Sequence, residues 1–99
     1  MLELRHLNTL TALRAHGSLA AAADELHVTA SAVSHQLKEL ENYYDISLVN
    51  RRTRPLTFTP AGKTVLALAD SIMPQVTRTK ANLKRLAHGQ AGRLRLASE

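Results

Sequence analysis

Seven residues, Val65, Ala69, Ile72, Val76, Thr79, Leu83 and Leu86, recur at steps of four, three, four, three, four and three along the second half of the chain. A period of seven with two apolar positions places a narrow seam on one side of a long helix. Thr59-Pro60-Ala61-Gly62 opens that helix with a capping hydroxyl and a proline at the first helical position, and the pattern carries it to about Ala87. A helix of about 27 residues is roughly 40 Å long, more than a small domain can cover. The seam therefore predicts a partner, and a second copy of the chain is the most economical one, giving a homodimer. Pro74 falls inside the helix and is expected to kink it or to remove a hydrogen bond, while Leu66 and Met73, seven apart, widen the seam.

The preceding residues read as three shorter helices. Leu4, Leu7, Leu10 and Leu13 form the apolar stripe of the first, which stops at His16-Gly17, where glycine can take the left-handed conformation. Ser18 caps a short, alanine-rich second helix that closes at Leu26-His27-Val28, its small side chains permitting close helix approach. Thr29 caps a third from Ala30 to about Tyr44. At about 100° per residue, Val33, Leu37, Leu40 and Tyr44 fall within roughly 60°, while Ser31, Ser34, His35 and Lys38 lie on the opposite side. A tight turn leading to a longer helix with a small, polar outward face is the layout of a helix-turn-helix; an ordinary three-helix bundle with a solvated face fits the periodicity as well.

After Ile46, Leu48-Val49 and Thr57-Phe58-Thr59 read as short strands around Asn50-Arg51-Arg52-Thr53-Arg54-Pro55. Three arginines without an acid make a compact cationic tip suited to phosphates or a narrow minor groove, although a basic solvated loop has the same composition. The chain's formal charge of +5 is unevenly divided. Residues 1–47 carry Arg5, Arg14 and Lys38 against Glu3, Asp24, Glu25, Glu39, Glu41 and Asp45, a net −3, and the remainder is +8. Nucleic-acid contact would thus combine a polar reading face with a localised basic element.

Other functional classes find little support. Cysteine is absent, excluding disulfides, thiolate catalysis and cysteine-ligated zinc. The five histidines form no i, i+4 pair, neighbouring Ser34 and His35 do not face each other on a helix, and no glycine-rich phosphate loop occurs. No catalytic residue, metal ligand or cofactor is therefore expected. Without an apolar membrane span or a signal-peptide pattern, a soluble cytoplasmic protein is expected.

The run from Ala22 to Glu41, AADELHVTASAVSHQLKELE, resembles the helix-turn-helix signature of LysR-type transcriptional regulators, and the resemblance continues through Leu48, Arg51 and Thr59-Pro60-Ala61-Gly62. It implies a mainly α fold: a winged helix-turn-helix with a short β-hairpin wing over residues 1–59, a linker and dimerisation helix over 60–87, and a hinge over 88–99 leading to an effector-binding domain outside this chain. It also implies binding of double-stranded DNA at an interrupted inverted repeat, with antiparallel linker helices joining a dimer and a tetramer in the full-length protein. By matching position, Thr29, Ala30, Ser31, Ser34, His35 and Lys38 resemble the recognition surface, Arg54 and Pro55 the minor-groove wing, and Arg51 and Arg52 phosphate contacts.

Within the family, Ser34-His35-Gln36, Arg54-Pro55-Leu56 and Phe58-Thr59-Pro60 are most similar to the methionine-pathway regulators, which implies methionine-synthesis genes as targets and homocysteine as the effector. Ala30, His35, Asp45 and Val49 stand where the family often has glutamine, arginine, glycine and phenylalanine. The first two departures shift the expected readout toward thymine methyls, hydroxyls, DNA shape and water. A winged-helix and coiled-coil protein-interaction module without sequence-specific DNA binding is the competing expectation.

Overall fold

The structure, a computed structural model, describes residues 1–90. Four helices and one hairpin follow in the order α1 (Leu4–His16), α2 (Leu19–Leu26), α3 (Ala30–Tyr44), β1 (Val49–Asn50), β2 (Thr57–Phe58) and α4 (Pro60–Gln90). The body is a three-helix cluster with the hairpin beside it, and α4 runs out of it to give principal extents of 56 × 25 × 19 Å.

Each helix boundary has a local cause. Gly17 ends α1 at φ 76°, its N–H donating to the Leu13 carbonyl at 2.8 Å. The Ser18 hydroxyl accepts from Ala21 N–H at 3.1 Å and opens α2; the Thr29 hydroxyl accepts from Ala32 N–H at 3.0 Å and opens α3. His27 and Asp45 end α2 and α3 at φ 60° and 54°. Asp45 thus adopts the left-handed conformation without being glycine, as short polar residues do more readily than most.

The core gathers Leu10, Ala12 and Leu13 from α1, Ala22 and Ala23 from α2, and Val33, Leu37 and Leu40 from α3, with Leu48, Val49 and Leu66 closing it from the far side. Two stripes differ from the sequence expectation. Leu4 is 50% exposed, whereas His6 and Thr9 are buried, because α1 packs on α2, α3 and α4 together and its covered arc is wider than one stripe. Tyr44 is 51% exposed, since α3 outruns the core by its last turn. Of the two buried polar residues, Thr9 Oγ1 donates to Gln36 Oε1 at 2.6 Å, and His6 Nδ1 accepts from Glu3 N–H at 3.0 Å at the start of α1, while His6 Nε2 makes no hydrogen bond among the described residues.

The strands are antiparallel, pairing Val49 with Phe58 and Asn50 with Thr57. Leu48 and Thr59, expected as strand residues, lie just outside the ladder. Thr59 caps α4, its hydroxyl accepting from Gly62 N–H at 3.1 Å and donating to the Ser47 carbonyl at 2.6 Å. One helix continues through Pro74 to Gln90, three residues beyond the expected end, so His88 and Gly89 are helical. The strand-like run around Leu94 and Leu96 lies outside the described residues. No described helix is long and apolar enough to cross a membrane.

Candidate nucleic-acid interface

The first half of α3 presents a continuous outward face. Thr29, Ala30, Ser31, His35 and Lys38 are exposed and Ser34 is half-buried, while Val33, Leu37 and Leu40 hold the opposite side in the core. The side chains here are small up to His35, so the helix can approach a surface closely before the longer Lys38 reaches out. At the leading end the peptide N–H groups and helix dipole favour an anion. The Thr29 hydroxyl caps this end as an acceptor, leaving its own proton free to donate.

Arg52, Arg54 and Pro55 are exposed on the hairpin tip. Arg51 is not part of that free cationic surface: its guanidinium turns inward, both Nη atoms 3.4 Å from Glu41 Oε1 on α3, and its side chain is 33% exposed against 12% for Glu41. Glu41 Oε2 also accepts from Leu48 N–H at 2.7 Å. One carboxylate thus ties the rising limb of the hairpin to the recognition-like helix, and Arg51 neutralises it, a role the charge count alone could not separate from phosphate binding.

The seam on α4 divides in two. Ala69 is buried at 1% and Val65 packs half-buried against the core, so these expected dimerisation positions are occupied within their own chain. The physical reason is that the start of α4 packs on α1 and on the core of its own chain. Ile72 and Val76 are half-buried, Thr79 is exposed, and Leu83 and Leu86 are exposed at 59% and 57%. Arg78, Lys80, Lys84 and Arg85 flank this uncovered part, and Asp70 is the only acid on the described α4.

The contacts made by Glu41, His6, Thr9 and Gly62 emerge from the structure and not from sequence patterns. Glu41 lies ten residues before Arg51, and only the turn after α3 brings the two together. Among the described residues no group of three or more His, Cys, Asp or Glu is arranged to hold a metal ion.

Comparison with known proteins gives a consistent set of likenesses. Residues 4–63 match the family described as bacterial regulatory helix-turn-helix protein, lysR family. The chain is 48% identical over 99 residues to the HTH-type transcriptional regulator MetR of Salmonella typhimurium, covering 100% of this chain and 30% of that protein. It is 45% identical over 98 residues to the MetR of Haemophilus influenzae, covering 99% of this chain and 32% of that one. This chain therefore spans about a third of the length of these curated relatives. A crystal structure of the BenM DNA-binding domain in complex with catB site 1 DNA superposes with a TM-score of 0.76 at 33% identity, over 89% of this chain and 95% of that one.

Proposed function

Because the chain belongs to the lysR family of bacterial regulatory helix-turn-helix proteins, we propose that it is the DNA-binding part of a transcription regulator that reads an interrupted inverted repeat as a homodimer. The observation that carries this reading is the pairing of a small, exposed polar face on α3 with a cationic hairpin tip tied to the same helix through Glu41. Residues 1–59 form the reading head and α4 the linker.

Thr29, Ala30, Ser31, Ser34, His35 and Lys38 face the major groove. Ala30 offers a methyl to thymine methyls, the serines and His35 make hydrogen bonds, and Lys38 reaches a phosphate. Arg54 with Pro55 enters the minor groove and Arg52 contacts a phosphate, whereas Arg51 holds the wing in place. Ile72, Val76, Thr79, Leu83 and Leu86 pair two copies. An antiparallel pairing suits the charges, because a parallel one would set the flanking cations of both helices side by side. Pairing fixes the separation of two recognition helices, and hence the spacing of the half-sites.

The likeness to MetR supports a wider proposal for the full-length protein: a cytoplasmic tetramer acting on methionine-synthesis genes, with homocysteine sensed by a further domain. The test is binding to a labelled duplex, enriched by this chain from a randomised library, against a scrambled duplex over a salt series. Tight, sequence-dependent binding with a steep salt slope is expected. Equal, weak binding to both duplexes would replace this reading with a protein-interaction module.

A further inference from the structure

We infer that Gly17, at the corner between α1 and α2, is a positioning residue for the wing and sets where Arg54 stands relative to α3. The hairpin ladder ends at Asn50 and Thr57, so pairing alone does not place the tip. Bonds within the tip shape it: Arg52 N–H donates to Asn50 Oδ1 at 3.0 Å, Thr53 Oγ1 donates to the Asn50 carbonyl at 3.2 Å, and the Thr53 and Thr57 hydroxyls meet at 3.0 Å. None of these relates the tip to the helices.

Beyond the packing of Val49, Leu56 and Phe58 on the core, two polar contacts tie the residues around the tip to the helices. On the rising limb Arg51 reaches Glu41 at 3.4 Å. On the descending limb Leu56 N–H donates to the Gly17 carbonyl at 3.0 Å, a shorter and more directional contact made by rigid backbone. Pro55 closes over the same glycine so tightly that a Cβ on residue 17 would lie 3.0 Å from the Pro55 Cβ. Arg54 is the next residue up the chain.

Gly17 therefore meets two separate demands. Its φ of 76° ends α1 and sets up the Ser18 cap of α2, which packs on α3. Its bare Cα lets Pro55 sit down, so the wing is referenced to the helical body at this corner. Asparagine separates the demands: it tolerates the left-handed backbone better than most residues but carries the Cβ that meets Pro55.

The inference rests on the proposal that Arg54 contacts DNA, and a double-mutant cycle on the enriched duplex tests it. Displacing a reading side chain by about half an ångström is expected to weaken specific binding about fivefold in Gly17→Asn. In an Arg54→Ala background the same change should cost clearly less, because the main group it misplaces is gone and only Arg52 and Pro55 remain to be shifted. Equal loss in both backgrounds, or none in either, overturns the inference and leaves Gly17 a helix terminator only. If Gly17→Asn melts too low for binding to be read, the Gly17→Asn and Pro55→Gly cycle is read by urea unfolding of the free chain; independent effects overturn the inference there as well. Loss of discrimination by the unaltered chain, or an Arg54→Ala change without effect, overturns the underlying wing proposal and is seen before Gly17 is altered.

Discussion

Arg14 on α1 and Asp70 on α4 form a two-point ion pair, Nη2 to Oδ1 at 2.6 Å and Nη1 to Oδ2 at 3.1 Å, across 56 residues of sequence. With Leu66 and Ala69 buried nearby on α4, the pair adds a polar contact to the packing of α1 on α4. The Arg14 guanidinium, by hydrogen bonding first and charge second, holds the Asp70 carboxyl below its ordinary value of 3.8.

The pH dependence of that pair follows from its sign. A carboxyl lowered in the folded state contributes stability above its unfolded value and loses it as pH falls through the lowered one. The unaltered chain is therefore expected to melt slightly above Asp70→Asn at neutral pH, with the gap shrinking below pH 3.8. Both side chains are substantially exposed, 42% and 58%, so the gap should also shrink with added salt. Melting curves across pH and salt check this, and a gap that widens in acid would contradict it.

Gly62 is required by a close approach and not by its backbone angle. A Cβ there would lie 2.1 Å from the Leu48 carbonyl oxygen, a backbone atom and not the end of a flexible side chain, with the Phe58 ring at 3.2 Å. Gly62→Ala should destabilise the chain by about 3 kcal/mol as the start of α4 is pushed off the hairpin. Urea unfolding measures it, and a loss below about 1 kcal/mol would mean the hairpin moves freely.

Removing the Glu41 carboxylate strands the Leu48 N–H and the inward Arg51 together. Glu41→Ala is expected to cost about 2 kcal/mol in urea unfolding. Arg51→Ala should lower stability and leave the salt slope of DNA binding almost unchanged, since this guanidinium is already paired. A slope reduced by about one would instead make Arg51 a phosphate contact.

Arg52 and Arg54 should separate by what they lose. Arg54→Ala is expected to weaken specific binding by roughly 1 to 3 kcal/mol and to relax preference in the minor groove. Arg52→Ala should weaken binding to all duplexes alike and lower the salt slope by about one. Fluorescence anisotropy on matched and scrambled duplexes distinguishes them; identical profiles would remove the distinction.

The division of the α4 seam predicts opposite consequences at its two ends. Leu83→Glu should halve the mass seen by sedimentation while the chain stays folded, because this leucine is 59% exposed in a single copy. Ala69→Glu should instead unfold the chain, because it forces a charge into a site that is 1% exposed. A dimer that survives Leu83→Glu would place pairing elsewhere.

The caps and periods along the chain were enough to place the four helices, with α4 running three residues past the end its period marks. Ser18, Thr29 and Thr59 act on N–H groups three residues away, Gly17 and His27 end helices through their own φ, and apolar spacing marks Val33, Leu37 and Leu40 as inward; these are short-range causes that sequence displays directly. The outward face of α3 was legible for the same reason, being the complement of an inward one. Tertiary structure decided what depended on which element lies beside which. A seam of period seven does not reveal that Val65 and Ala69 pack within their own chain, and a count of arginines does not reveal that Arg51 meets Glu41 while Arg52 and Arg54 stand exposed. Burial and ion pairing are set by neighbours distant in sequence, so only the packed chain could separate the residues that hold the helical body together from those left exposed.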